Sequence, residues 1–140
     1  PKWVPQMRDA QDVMAALQAP ALAALLAPAT VSVLTPNMKG LEAALAAGAQ
    51  EVVVFGAASE AFSHKNINCS IAESMAMFEP VVAAAHAAGV ATRGAISCAV
   101  GCPYEGAVAP AKVADVARMM NAMGVQRIAV ADTIGVGTPR

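Results

Sequence analysis

Two hydrophobic rhythms take turns along the chain. Three segments echo one another: Ala47-Gly48-Ala49-Gln50-Glu51-Val52-Val53-Val54, Ala88-Gly89-Val90-Ala91-Thr92-Arg93-Gly94-Ala95, and Met123-Gly124-Val125-Gln126-Arg127-Ile128-Ala129-Val130. Each reads as a helix end, a glycine and a strand. The glycine stands where a left-handed residue would stop the helix, and the run after it suits a buried parallel strand. Between Ser70 and Ala88 the rhythm changes to steps of four and three, with Ile71, Met75, Phe78, Val82 and Ala85 on one face, and Ser70 with Glu73 predicts a capping box. A second helix starts with Pro110 in its first turn and turns Val113, Val116, Met120 and Met123 inward up to Gly124. Asn37 caps a third, to Ala47. An earlier helix starts near Asp9 and carries Val13, Ala16 and Leu17 inward, and a short Ala/Leu turn over residues 21–27 precedes a strand at Thr30 to Leu34.

The expected order is a helix, then strand and helix three times, then a strand ending at Ala131 or Asp132. Such a chain is α/β, with parallel strands joined by right-handed crossovers. Two closures fit: an open doubly wound sheet, or a partial (βα)8 TIM barrel of about four parallel strands with intervening helices. A four-strand arc has two exposed edges, so the barrel reading calls for further strands.

Composition bears on that choice. Of 140 residues, 57% are hydrophobic and 14% charged, with a net charge of −1. A chain of this length folding alone buries roughly 70% of its extended surface, and so few charges cover the remainder poorly. The sequence therefore reads as one that expects neighbours. Nine Lys and Arg scattered along the chain form no basic stripe, which argues against nucleic acid and anionic membrane as partners. The uncharged stretch from Val13 to Asn37 is interrupted by Pro20, Pro28 and Pro36 and is rich in Ala, so it does not read as a membrane span. Cys69, Cys98 and Cys102, an odd number without dense spacing, suggest free thiols in a reducing compartment. The opening on Pro1, Lys2 and Trp3 suggests a chain that begins inside something longer.

Chemistry is expected at the carboxyl ends of the strands, whichever way the sheet closes. Those ends are Leu34-Thr35-Pro36-Asn37, Phe55-Gly56-Ala57-Ala58-Ser59-Glu60, Ile96-Ser97-Cys98-Ala99 and Ala131-Asp132-Thr133-Ile134-Gly135. Long loops are expected after the second strand, with His64, Lys65, Asn66 and Asn68, and after the third, with Cys98, Cys102, Tyr104 and Glu105. Asp132 stands out. At a sheet mouth it can take a proton, orient a hydroxyl or meet a metal, and the plainer alternative is a helix N-cap. Gly135-Val136-Gly137 lacks the third glycine of a dinucleotide fingerprint. The three cysteines do not complete a structural zinc site; a thiol acid or nucleophile stands beside the plainer reading of buried thiols. His86 lies away from the strand ends on a helix surface, and His64 has only Glu60 near it as a possible co-ligand.

Taken together, Pro1-Lys2-Trp3-Val4-Pro5-Gln6-Met7, Val33-Leu34-Thr35-Pro36-Asn37, Phe55-Gly56-Ala57-Ala58-Ser59-Glu60, Lys65-Asn66-Ile67-Asn68-Cys69-Ser70, Ser97-Cys98-Ala99-Val100-Gly101-Cys102-Pro103-Tyr104-Glu105-Gly106 and Asp132-Thr133-Ile134-Gly135-Val136-Gly137-Thr138-Pro139 make the chain resemble the hydroxymethylglutaryl-CoA lyase family from end to end. The resemblance implies a TIM barrel that cleaves 3-hydroxy-3-methylglutaryl-CoA to acetyl-CoA and acetoacetate by a retro-Claisen step. It implies a divalent cation, Mg²⁺ or Mn²⁺, to polarise the substrate. It also implies an acyl-CoA substrate, a homo-oligomer (dimer) for the whole enzyme, and a cytoplasmic (bacterial) or mitochondrial matrix (eukaryotic) location.

On the matching positions, Asp132 takes a proton-transfer or hydroxyl-orienting role, while Asn66, Arg93 and Thr133 are substrate-side residues, Arg93 with a structural role as the alternative. The family's metal-binding Asp falls before Pro1, and its His-x-His and Asn ligands and mobile-loop Cys fall after Arg140. No metal ligand is therefore assigned in this chain. The expected domain is residues 1–140 as the central part of one catalytic barrel, its N- and C-terminal parts absent, with no cation bound and no turnover on its own. Cys102 does not inherit the catalytic thiol, because its Cys-Pro-Tyr sits on an earlier segment. Ala95 and Ala129 replace the family's usual Tyr and Ser, and the Ala-rich stretch before Val31 is several residues longer. The alternatives are another acyl-CoA aldolase or synthase of the same barrel superfamily, and a non-catalytic half-barrel assembly module.

Overall fold

The computed structural model of the protein describes residues 4–138; Pro1, Lys2, Trp3 and Pro139 of the terminal motifs lie outside the described residues. After a 3₁₀ turn at Pro5–Met7 come α1 (Ala10–Leu17), α2 (Pro20–Leu26), β1 (Ser32–Leu34), α3 (Met38–Ala46), β2 (Glu51–Ala57), α4 (Glu60–Ile67), α5 (Ile71–Ala87) and β3 (Ala91–Ser97). A small hairpin of β4 (Gly101–Cys102) and β5 (Gly106–Ala107) follows, then α6 (Pro110–Ala122) and β6 (Arg127–Val130). Four strands form one parallel sheet in the order β1-β2-β3-β6. Strand order thus follows chain order. A doubly wound sheet reverses direction at a switch point, whereas an arc of a barrel does not, and the order seen here is that of a barrel arc.

The expected stops and starts are in place. Gly48, Gly89 and Gly124 all have positive φ, at 68°, 71° and 92°, where a side chain would be strained. Ser70 and Glu73 form the reciprocal capping box of α5, Asn37 accepts the N–H of Gly40 at the head of α3, and Pro110 opens α6. On α5, Phe78, Val82 and Ala85 are fully buried.

Close approach of the helices to the sheet depends on two missing β-carbons. A Cβ on Gly56 would lie 2.7 Å from Met75 Cε, and one on Gly94 would lie 2.5 Å from Met120 Sδ. The flexible thioethers of α5 and α6 fill the space above those glycines. Burial alternates along β3: Thr92, Gly94 and Ile96 are buried, while Ala91, Arg93, Ala95 and Ser97 are half-buried. Since Gly94 meets Met120, the half-buried set lies on the face away from the helices.

On that open face Glu51 is fully buried. Its carboxylate accepts from Ser32 Oγ at 2.6 Å and pairs with Arg93 Nε at 3.2 Å and with Arg127. Burial pushes the Glu51 pKa up, but the Ser32 hydroxyl and the two guanidinium groups outweigh it and hold it below the usual glutamate value.

Four expectations are corrected. The inward face of α1 is Met14 and Leu17; Val13 is 49% exposed and Ala16 is also exposed, because α1 rests on the β1–α3 edge along a single row. Residues 20–26 are a helix and not a turn, started by Pro20 and with no buried residue. The segment after β2 is not a long loop: Ser59 caps α4 by accepting the Phe62 N–H, and Asn68 ends it at φ 56°. The loop after β3 closes into the β4–β5 hairpin, turned at Gly106 with φ 75°.

The Glu51 cluster carries the prediction of this section. Its folded pKa is lowered, so its stabilisation is complete above the unfolded glutamate pKa and is lost as pH falls through the folded value. Urea unfolding should show Glu51→Ala destabilised by about 2–3 kcal/mol, below the cost of breaking a fully buried pair because Arg93 and Arg127 can recover water. Glu51→Gln should flatten the decline in stability toward acid pH; an unchanged decline would assign it to other carboxylates.

Candidate active site at the strand tips

The ladder runs past the strand ends and ties their tips together. Ala58 N–H donates to Ser97 O at 2.9 Å, Ala131 N–H to Ile96 O at 2.9 Å, and Ala99 N–H to Ala131 O at 3.1 Å. Thr133 adds a side-chain tie, its hydroxyl accepting the Cys98 N–H at 2.7 Å. Cys98, just past the end of β3, has a left-handed φ of 57°.

Asp132 is exposed at the tip of β6. Its Oδ2 accepts the Gly137 N–H at 2.7 Å and its Oδ1 the Val136 N–H at 3.2 Å. Gly137 permits this: a Cβ there would lie 3.0 Å from Oδ2. Gly135, at φ 67°, turns the chain back toward the carboxylate. The Gly-Val-Gly segment is therefore a backbone nest for Asp132. The Gly137 N–H, opposed by slight burial and helped by Val136 and Gly135, holds the carboxyl below the usual aspartate value. Among the described residues no helix follows Thr133, so the N-cap reading of Asp132 falls. Each oxygen accepts one N–H of the nest and retains further acceptor capacity.

Beneath the tips lies a compact polar cluster. Ser59 Oγ is 3.0 Å from Cys102 Sγ, and the Tyr104 N–H donates to that sulfur at 3.4 Å. Glu105 accepts the Ala61 N–H at 2.9 Å, and Tyr104 packs on Phe62 with centroids 6.4 Å apart, fastening the hairpin to the head of α4. Ser59, Cys98 and Cys102 are buried, which agrees with the plainer reading of these two thiols. Glu60 accepts the Ile71 N–H at 3.0 Å and serves the start of α5.

The structure places Asp132 and Thr133 side by side at the tip of β6 and sets Arg93 well below them on β3. Arg93 pairs with Glu51 and lies level with Arg127, five residues before Asp132 on β6 and so about 16 Å from it along the strand. Its alternative, structural role is the one its contacts display. Asn66 is exposed on α4, not on a loop. His86 is an exposed helix residue whose Nε2 is 3.0 Å from Thr92 Oγ1, near the start of β3. Ser59 escaped the sequence reading, although Ser59-Glu60 ahead of Phe62 is a helix-start signal. Among the described residues no three His, Cys, Asp or Glu side chains converge as metal ligands. A divalent cation is not fitted by this donor set.

The family model described as HMGL-like matches residues 2–140. Hydroxymethylglutaryl-CoA lyase, mitochondrial, of Rattus norvegicus is 56% identical over 139 residues, covering 99% of this chain and 41% of that protein. The 3-hydroxy-3-methylglutaryl-CoA lyase, cytoplasmic, of the same species is 50% identical over 139 residues, covering 99% and 38%. The crystal structure of the HMG-CoA lyase from Brucella melitensis matches with a TM-score of 0.90 and 49% identity, over 99% of this chain and 47% of that one. The chain spans about two fifths of the length of the curated relatives it matches.

The Thr133 tie is open to test. Thr133→Val keeps the shape and removes the acceptor for Cys98, which should cost about 1–2 kcal/mol in urea unfolding and speed hydrogen exchange at the Cys98 amide. An unchanged Cys98 exchange rate would show that the hydroxyl does not hold the two tips.

Proposed function

The chain belongs to the HMGL-like family, and from that premise we propose that residues 1–140 are the central part of a single TIM-barrel catalytic domain that cleaves 3-hydroxy-3-methylglutaryl-CoA to acetyl-CoA and acetoacetate. The observation that carries this reading is the ionised, pre-oriented carboxylate of Asp132 at the tip of β6. Its relatives' names and the coverage of their length support the substrate and the partial domain.

Retro-Claisen cleavage requires loss of the tertiary hydroxyl proton, rupture of the adjacent carbon–carbon bond and protonation of the thioester enolate. Asp132 answers the first requirement. Two backbone N–H groups stabilise its charge, which makes it a weak proton acceptor and a strong, fixed hydrogen-bond acceptor. Its role is thus to orient the hydroxyl and share its proton in the transition state. Thr133 keeps Asp132 in register with β3 through Cys98. Asn66, on the exposed face of α4, is assigned to the substrate's polar end, and Arg93 to holding Glu51 and the strands in place. The divalent cation, Mg²⁺ or Mn²⁺, belongs to the complete enzyme, where it would polarise the substrate; this chain offers no converging donor set among the described residues. The complete enzyme is assigned a homodimeric state and either a bacterial cytoplasmic or a mitochondrial location.

Purified chain supplied with Mn²⁺ and 3-hydroxy-3-methylglutaryl-CoA should form no acetoacetate above a protein-free blank, and turnover would overturn the partial-domain reading. In a full-length family enzyme carrying this segment, Asp132→Asn should lower kcat by roughly 10²- to 10⁴-fold with a smaller change in KM. The lowered Asp132 pKa places the acid limb of the wild-type kcat profile below the usual aspartate range. Full kcat in the Asn variant would remove Asp132 from the reaction.

A further inference from the structure

Two glycines beside Asp132 answer to space and not to backbone conformation, since neither Gly101 nor Gly137 has a positive φ. A β-carbon on buried Gly101 would lie 2.9 Å from Val136 Cγ2 and 3.7 Å from Ile134 Cδ1. In the other direction, Val100 Cγ1 lies 3.7 Å from where Gly137 would carry a β-carbon. The hairpin and the Asp132 loop therefore interlock. Val136 sits over Gly101, and Val100 sits against Gly137. Val136 and Gly137 are also the residues whose N–H groups hold the Asp132 carboxylate, at 3.2 Å and 2.7 Å. The seat under Val136 is itself fixed. Gly101 pairs with Ala107 across the β4–β5 ladder, and Glu105 fastens the same hairpin to the Ala61 N–H at the head of α4.

We propose that Gly101 is a positioning residue for Asp132: the room it leaves for the Val136 side chain sets where the Val136 and Gly137 N–H groups stand, and they in turn aim the carboxylate. Its consequence for cleavage rests on the role given to Asp132 above. The contacts at Gly56 and Gly94 are with the ends of flexible methionines, which can move aside. Val136 is β-branched and stiff, and its Cγ2 stands two bonds from its Cα. A methyl group at Gly101 thus presses on the backbone of the nest and not on a side-chain end. The Gly137 bond is short, and a displaced donor loses both its distance and its angle to Oδ2. The carboxyl reports such a shift directly, because the Gly137 N–H, with smaller help from Val136 and Gly135 and against slight burial, is what holds it below the usual aspartate value.

The test is an NMR titration of the Asp132 carboxyl in the purified, isotope-labelled chain, read together with the Val136 and Gly137 amide protons, whose resonances move with the carboxyl they bond. Gly101→Ala should raise the Asp132 midpoint toward the usual aspartate value and shrink the titration shift of both amides. Gly101→Ala combined with Val136→Ala removes the crowding atom and keeps both N–H groups, and it should return midpoint and amides to their wild-type values. An unchanged midpoint in Gly101→Ala would overturn the proposal, since Val136 would then only have turned its side chain. A double variant as displaced as the single one would overturn it too, because the added methyl would be acting elsewhere. Should Gly101→Ala alone not fold, the double variant decides: a wild-type midpoint supports the contact and a raised one refutes it. In a full-length family enzyme carrying this segment, Gly101→Ala should lower kcat by roughly 10- to 10²-fold with a smaller change in KM, move the acid limb of the kcat profile upward, and recover in the double variant. A displaced carboxyl with unchanged kcat, in an enzyme that Asp132→Asn inactivates, would refute the positioning role. Full kcat in Asp132→Asn would instead overturn the role of Asp132 and its consequence here, while the NMR titration still decides the contact.

Discussion

One carboxylate touches a side chain from every other strand of the sheet. Glu51 on β2 meets Ser32 of β1, Arg93 of β3 and Arg127 of β6, and its own side chain is almost wholly out of water. An unpaired charge so placed would cost several kcal/mol, so the sheet is stable in the arrangement that delivers all three partners. A slip of any strand by one residue would send its contribution to the helix side, because side chains alternate. The cluster therefore specifies register more than it adds stability. Register then sets the opposite end: with Arg93 opposite Arg127, the chain reaches Ala131 beside Ile96 and Ala99, and Thr133 arrives at Cys98.

The parts legible from sequence were those encoded by neighbours along the chain. Gly48, Gly89 and Gly124 announce left-handed helix ends, and Ser70 with Glu73 announces a cap, because each effect acts within a few residues. The α4 helix went unseen for the complementary reason. Glu60–Ile67 has little apolar periodicity, and its ends, Ser59 and Asn68, together with the anchor Glu105 on a distant hairpin, make it helical. The side of α1 that faces inward was likewise undetermined until the β1–α3 edge selected Met14. The choice between a barrel arc and a doubly wound sheet is a matter of spatial strand order, which no local pattern encodes.

The candidate site divides in the same way. Asp132 and Thr133 were visible as polar residues directly after an apolar strand, and the nest that holds Asp132 comes from the next five residues. Arg93 was visible as a charge within a strand, but its partner lies on another strand 42 positions away, and only that partner decides that the side chain faces an ion pair and not the strand tips. Asn66 lies in between: its motif was legible, its helix was not.

The shortage of charge in the composition now has an address. Glu51, Arg93 and Arg127 are drawn into one cluster, and the neighbouring β3 positions on the open face are the small residues Ala91 and Ala95. The exposed large apolar residues include Leu34 on edge strand β1 and Val130 on edge strand β6, at 51% and 60% exposure. Those two edges are where a closed barrel would pair with further strands, and pairing would cover both side chains while satisfying the edge backbone. A sheet designed to stand alone would place charge or proline there. The open face and the apolar edges thus support the proposed partial barrel on grounds separate from the length of the relatives: further strands on β1 and β6 would cover Leu34 and Val130 and satisfy both edges.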